Sequence, residues 1–417
     1  MTTHTQKNDL TGTWNIDTSD DTWILAGNAS ITTNGTEAID LGAEFTGNTI
    51  KLLGDISVAG PVMRAIRIDA EDTKLLIGKN SVIDAPFVNV GIHVTGSAAE
   101  IHNAGTINAS LSGIVGGEFT TVYNSGRISA DRAVAGNESG LEVVNSGKLL
   151  GDTYGVNAVA QGSGVRNETD GVIKGGDTAV NSTGEGTFVV INHGLIKGPT
   201  AIADAEGDAA ISNRKGGTID GDVKLGAGED TFQILGGTLK GTVFGGEDND
   251  TYILSHKSGA IAELFDEGMD EVFAKFSYTL GENIESLTLL GGKDLNGTGN
   301  EGNNSIYGNK GDNVLRGMNG EDYLGSGRGN DLMIGGADSD IFEFNTKNGH
   351  DTIKDFQDGS DVIFSNFITS EADVQNMLDN HATETQGGVL IEYGKNSMFI
   401  KGMDLDDLGN DDFILGF

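Results

Sequence analysis

Residues 299–343 read GNEGNNSIY (299–307), GNKGDNVLR (308–316), GMNGEDYLG (317–325), SGRGNDLMI (326–334) and GGADSDIFE (335–343), consecutive nonapeptides in one unbroken frame. Position six holds Asn304, Asn313, Asp322, Asp331 and Asp340 in turn, and position eight holds Ile306, Leu315, Leu324, Met333 and Phe342. An oxygen-bearing side chain two residues before an apolar one predicts a loop followed by a short strand whose position-eight side chain is buried. Gly302, Gly311, Gly320 and Gly329 permit positive φ, so loop carbonyls can turn toward the position-six side chain. Carboxylates and carbonyls together suit calcium, a hard cation that takes about six to eight oxygens at ~2.3–2.6 Å. Isolated Asp-Gly turns are common and need no metal; a shared nine-residue frame goes beyond turn formation.

The array resembles the RTX nonapeptide family, GGxGxDxUx, whose fold is a parallel β-roll with two nonapeptides per turn and calcium between stacked loops. The resemblance implies that same-side loops pair Asn304 with Asp322, Asp322 with Asp340 and Asn313 with Asp331, with loop carbonyls completing each shell. Ser326 replaces the usual first glycine, Asp338 replaces the fourth, and the two position-six asparagines lack a formal charge, so their sites are expected to bind more weakly. Asp338 is retained among the candidate ligands. GAGEDTFQI (226–234) and GGEDNDTYI (245–253) look like isolated repeats and add Asp230, Asp248 and Asp250. SYTLGENIESLTL (277–289) and NGTGN (296–300) look like the connector before such arrays, and GHDTIKDFQDGSDVIF (349–364) looks like the closing segment. There the resemblance implies that Asp351 and Asp355 complete the last calcium site and that Asp361 caps the roll. RTX proteins are typically exported by type I machinery that reads an uncleaved carboxy-terminal signal, and the tail here, ending DDFILGF (411–417), is similar to such signals. The resemblance thus implies an extracellular, calcium-loaded protein.

A second repeat precedes the nonapeptides. Asn103, Asn124, Asn145, Asn167, Asn192 and Asn213 recur every 21 to 25 residues, each two residues after Ile101, Val122, Val143, Val165, Val190 or Ile211. A glycine and then an aliphatic residue follow, as in NAGTI (103–107) and NSGRI (124–128). Ile92, Ile114, Val134, Val156, Val180 and Ile202 form another column, each preceded by glycine or alanine. One coil per period, with stacked asparagine amides at a corner, predicts a parallel β-solenoid.

The predicted fold class is all-β: a right-handed parallel β-helix or solenoid continuing into a calcium-binding parallel β-roll, with a small C-terminal cap containing one short helix. The expected divisions are an N-terminal cap (1–45), solenoid (46–225), transitional solenoid (226–298), roll (299–364), and a closing cap with the export signal (365–417). The helix is SEADVQNMLDNH (370–381), with Ser370 as N-cap, Asp373 three positions on, and Val374, Met377 and Leu378 on one face.

Formal net charge is -36, and residues 226–417 hold 35 acidic against 11 basic side chains. That excess repels nucleic acid and favours cation partners. No apolar run approaches the roughly 20 residues of a membrane-spanning helix. The amino terminus, MTTHTQKNDLTGTW, lacks the charged and apolar regions of a signal peptide, consistent with export by another route. Cys 0 excludes disulfides and thiolate metal sites.

Parallel β-helices also host polysaccharide lyases, glycanases and epimerases, chemistry that requires a base and a group neutralising a uronate. Tyr123, Arg127, Asp131, Arg132, Tyr154, Arg166 and Lys174 fall on adjacent coils and are the candidate catalytic cluster. The outward columns of a solenoid must be polar in any case, so these residues equally suit a solvated face. Short polar side chains at Thr178, Asn181, Ser182, Thr183 and Thr200 fit repeated weak contacts with a polysaccharide or cell surface. A surface, adhesion or matrix-binding module is therefore the preferred reading of the solenoid, with the polysaccharide-modifying enzyme as its alternative.

Overall fold

The computed structural model describes residues 1–345 and 347–415. It is nearly all β, a parallel β-solenoid of about 17 turns with one helix near the C-terminus. The chain forms two compact units, Met1–Glu247 with Ser258–Ala260, and Asp248–Lys257 with Ile261–Phe417.

In the first unit, Glu100–Asn103, Thr121–Asn124, Glu142–Asn145, Gly164–Asn167, Phe188–Asn192 and Ala209–Arg214 pair in parallel, asparagine over asparagine. The alternating pattern of each strand buries the β-branched residue two positions earlier. Each asparagine amide donates to the Oδ1 of the next: 2.8 Å from Asn103 to Asn124 and from Asn124 to Asn145, then 2.9 Å at each later step to Asn213. Asn213 ends the chain of amides by donating to Thr238 O at 2.9 Å. An amide is donor and acceptor at once, so the column satisfies itself.

The corner glycines serve a steric purpose. A Cβ on Gly126 would lie 2.1 Å from Gly105 O, and one on Gly147 would lie 2.1 Å from Gly126 O. In the second column, Ile92, Ile114, Val134, Val156, Val180 and Ile202 stack in register with no exposed surface. Residues 1–45, expected as a cap, lack the Asn-x-Gly corner yet share the ladder: Thr3–Gln6 pairs with Thr22–Leu25, and that strand with Thr49–Leu52. At the asparagine position these coils carry Leu25 and Leu52, in register with Ile77 and Asn103, and their polar contacts lie before the strand, where Asn48 Nδ2 donates to Thr18 O and Phe45 O and Asp21 N donates to Asn48 Oδ1.

In the second unit the pairings Ile306↔Leu324↔Phe342 and Leu315↔Met333 advance by two nonapeptides per turn, so position eight alternates between two faces. All five of these side chains are fully buried. Beyond the array, Met333 pairs with Ile353 and Phe342 with Ile363. Helix α1, Glu371–His381, starts at Ser370, whose Oγ accepts from Asp373 N at 3.2 Å and donates to Asp373 Oδ2 at 2.9 Å. Val374 and Met377 are buried and Leu378 is half-buried. An antiparallel hairpin, Gly388–Tyr393 with Asn396–Lys401, closes one sheet, and Phe413–Leu415 pairs with Val362–Ser365 on the other. Gly416 and Phe417 of the expected export tail lie outside the described residues. No helix among the described residues is long and apolar enough to cross a membrane.

Replacing Asn145 by Ala removes a ladder rung, leaves Asn167 Oδ1 without its donor and leaves the Asn124 amide with only Gly126 O at 3.4 Å. The expected loss is about 2–4 kcal/mol in chemical denaturation, against a few tenths for the exposed Asn137→Ala.

Candidate metal centre

Position six of the nonapeptides forms two interior columns, one on each side of the roll. On one side Asn304 N donates to Asp322 Oδ1 at 2.8 Å, Asp322 N to Asp340 Oδ1 at 3.1 Å, and Asp340 N to Asp361 Oδ1 at 3.0 Å. On the other, Asn313 N donates to Asp331 Oδ1 at 2.6 Å and Asp331 N to Asp351 Oδ1 at 3.0 Å. Each pair expected from the sequence is therefore brought together.

One carboxylate oxygen of each aspartate is thus held by backbone; the second differs along the column. Asp322, Asp331 and Asp340 are no more than 2% exposed, and the Oδ2 of each is buried without a hydrogen-bond partner. A buried acceptor left this way costs free energy unless a cation meets it. The columns end where that deficit ends. Asp361 Oδ2 accepts from Gln357 N at 2.8 Å, and Asp351 Oδ2 accepts from Ser326 Oγ at 2.9 Å. Ser326, which departs from the repeat consensus, therefore supplies a donor that glycine lacks.

Around the interior aspartates the backbone turns as a metal loop requires. Met318, Gly320, Gly327, Gly329, Gly336 and Asp338 all have positive φ. Asp338 adopts +76° in the position-four glycine's place while its exposed side chain accepts from Gly320 N at 3.3 Å. Gly302 and Gly311 do not have positive φ, contrary to expectation. Their N–H groups are held instead by Asn300 Oδ1 at 2.9 Å and Asn309 Oδ1 at 2.7 Å. Asp355 is half-buried and accepts from Gly335 N at 3.1 Å.

Burial pushes Asp322, Asp331 and Asp340 up from the ordinary carboxylate value to about 7, with Asp338 raising Asp322 further, Asp351 raising Asp331, and Asp361 raising Asp340. Asp351, Asp355 and Asp361 are raised too, again first by burial. The loops of the first column border a groove of about 1040 Å³ lined by Glu282, Glu285, Glu301, Glu321, Asp322 and Asp340. Its charge concentrates cations at the loops.

Asp250 gathers residues that the nine-residue frame did not point to. Asp250, Glu263 and Asp270 are buried and offer oxygens within 4.8 Å of one another. Tyr252 Oη donates to Glu263 and, at 3.3 Å, to Asp250 Oδ2, while Asp250 N donates to Asp270 Oδ1 at 2.8 Å. Burial raises Asp270 to about 6, with Glu285 and Glu267 adding to it. Their spacing departs from the nonapeptide period, so only the fold unites them. Asp248 is exposed at φ +74°, standing where a position-four glycine would. In the first unit, Asp230 is buried and accepts from Ala209 N at 2.5 Å.

The candidate catalytic cluster is divided between two sheets. Tyr123 and Arg166 lie on the ladder that carries the asparagines, where Tyr123 stacks on His102 and Arg166 pairs with Glu168 at 2.6 Å. Arg127, Asp131, Arg132, Tyr154 and Lys174 lie on the other sheet, where Arg132 and Tyr154 are register partners. Asp131 there accepts from Thr153 Oγ1. Lys174 borders a separate groove of about 410 Å³ with Lys197, Asp220 and Lys240.

Among protein families, the RTX calcium-binding nonapeptide repeat (4 copies) matches residues 298–333 and 326–353. No curated protein matches the chain.

Folded without calcium, the roll keeps protons on Asp322, Asp331 and Asp340 up to about pH 7, whereas the unfolded chain has released them not far above 3.8. The folded state binds more protons across that window, so calcium-free stability falls as pH rises through it. Denaturation in chelator should give lower stability at about pH 8 than at about pH 5, and saturating calcium should remove that difference.

Proposed function

From the premise that residues 298–353 are RTX calcium-binding nonapeptide repeats, we propose an exported protein whose roll is completed by extracellular calcium and whose solenoid is a surface- or matrix-binding module. The single observation that carries the calcium reading is the set of buried, unpartnered Oδ2 atoms on Asp322, Asp331 and Asp340. Asp322 and Asp340 face one column and Asp331 the other, and the positive-φ loops around them supply the carbonyls. The residues fit calcium as oxygen-only donors. When bound, the ion supplies charge neutralisation and cross-links successive loops; the aspartates anchor the stack by accepting backbone amides through Oδ1.

Export follows from the same charges. At low cytosolic calcium the acidic excess of residues 226–417 opposes compaction, so the calcium-requiring turns that begin at Asp322 stay open until the chain has been exported. Millimolar calcium outside then couples folding to arrival. The surface-binding reading of the solenoid rests on the half-buried polar column in which Tyr154, Thr178 and Thr200 stack in register; Asn181 Nδ2 donates to Asn157 Oδ1 at 2.8 Å, and Asn157 and Ser182 are themselves buried and offer no surface. An acidic polysaccharide or a cell surface is the partner class. The division of the candidate catalytic cluster between two sheets favours binding over catalysis.

Circular dichroism of the full chain should gain strand signal on calcium addition, more than with matched magnesium. The triple variant Asp322→Ala, Asp331→Ala, Asp340→Ala should lose most of that response. An equal wild-type signal with and without calcium contradicts the reading. Incubated with acidic polysaccharides, the chain should co-sediment without generating the ultraviolet absorbance of an unsaturated uronate; a rise in that absorbance marks a lyase instead.

A further inference from the structure

We infer that the first turn of the roll, residues 299–316, closes without calcium, because asparagine amides stand where a cation stands in the turns that follow. The inference rests on the calcium reading of Asp322, Asp331 and Asp340, and concerns the residues preceding them. Repeats one and two share the pattern G-N-x-G-x-N, with Asn300 and Asn304 in the first and Asn309 and Asn313 in the second. Both positions are filled by a side chain that donates as well as accepts.

The two loops, on opposite sides of the roll, build the same network independently. In the first, Asn304 Nδ2 donates to Ile284 O at 3.2 Å and to Asn300 Oδ1 at 3.1 Å, while Asn304 Oδ1 accepts from Asn300 N at 2.7 Å. Asn300 Nδ2 donates to Gly281 O at 2.6 Å and Ile284 O at 2.9 Å. In the second, Asn313 Nδ2 donates to Leu295 O at 3.0 Å and Asn309 Oδ1 at 3.3 Å, and Asn313 Oδ1 accepts from Asn309 N at 2.7 Å. Asn309 Nδ2 donates to Lys293 O at 3.0 Å. The loop carbonyls that would otherwise face a cation are thus met by amide N–H groups.

The contrast with the following turns is chemical. Asn304 and Asn313 are as buried as Asp322 and Asp331, at 3% and 1% exposed, yet both of their side-chain atoms are hydrogen-bonded. A carboxylate at either position would set acceptor against acceptor at Ile284 O or Leu295 O. Asn304 and Asn313 therefore fit a plug better than the weak calcium ligands expected from the array. Their backbone N–H groups also hold Asp322 Oδ1 and Asp331 Oδ1, so the closed turn is a preformed seat for the first calcium-dependent one. In a solenoid each turn is stabilised by its neighbour, so ordering spreads from a fixed rung.

Amide hydrogen exchange of the full chain in chelator and in calcium tests this directly. Gly302 and Gly311, whose N–H groups bind the asparagine Oδ1 atoms, should be protected in chelator and change by less than about threefold with calcium, while Asp322 and Asp331 amides slow by more than about tenfold. If Gly302 and Gly311 exchange freely in chelator and gain protection in step with Asp322, the inference is overturned while the calcium reading stands. If no amide of 317–353 responds to calcium, the calcium reading fails and the inference with it. The double variant Asn300→Ala, Asn309→Ala should speed Gly302 and Gly311 exchange in chelator by about tenfold while leaving calcium stoichiometry unchanged. A fall in stoichiometry makes the asparagines calcium-site residues and contradicts the plug.

Discussion

A parallel coil places each residue over its own equivalent, about 4.8 Å away, so an interior polar column must be satisfied along its own length. Two different columns meet that requirement here: the asparagines stand at the carboxy ends of their strands, where Asn213 is followed in register by Ile234, and the position-six residues stand just before theirs. Asparagine is self-complementary, and the buried run from Asn103 to Asn213 passes one amide hydrogen bond from rung to rung before ending on Thr238 O. Aspartate is not. Its acceptors can take the backbone N–H of the preceding turn, as Asp322, Asp331 and Asp340 do, but the remaining oxygen has no donor above it. Repeating aspartate in such a column therefore demands a cation.

The roll limits that demand at both ends. Asn304 and Asn313 begin it with side chains whose donors and acceptors are all engaged, and Asp351 and Asp361 finish it with both carboxylate oxygens accepting, one set using Ser326 and the other Gln357. Within the roll, the calcium-requiring segment is thus bounded on both sides by side chains that are hydrogen-bonded. The raised carboxyls within it express the same imbalance, since burial there opposes the charged form that calcium would stabilise.

Much of this was legible in the sequence because stacking converts spacing into contact. Position six, position eight, the asparagine corners and the Ile92 to Ile202 column all emerge from fixed offsets, and Ser370 with Asp373 marks the helix start by local chemistry. What escaped lies off the period or within one loop. Glu263 and Asp270 join Asp250 at irregular spacings. Asn300 and Asn309 look like generic loop residues until their amides are seen reaching the preceding turn's carbonyls; their Oδ1 atoms accept from Gly302 and Gly311, neither of which takes positive φ. The first 45 residues hid their coils because Leu25 stands where later coils carry asparagine, in register with Leu52 and Ile77.

The central claim is that the unpartnered oxygens of Asp322, Asp331 and Asp340 are calcium ligands. Anomalous scattering from crystals of the full chain grown in calcium locates the ions without recourse to activity. The account predicts peaks at ~2.3–2.6 Å from those three Oδ2 atoms and from neighbouring loop carbonyls, with none between the Asn304 or Asn313 side chains and the carbonyls they bind. Peaks absent from all three aspartates, with only water against them, would contradict it.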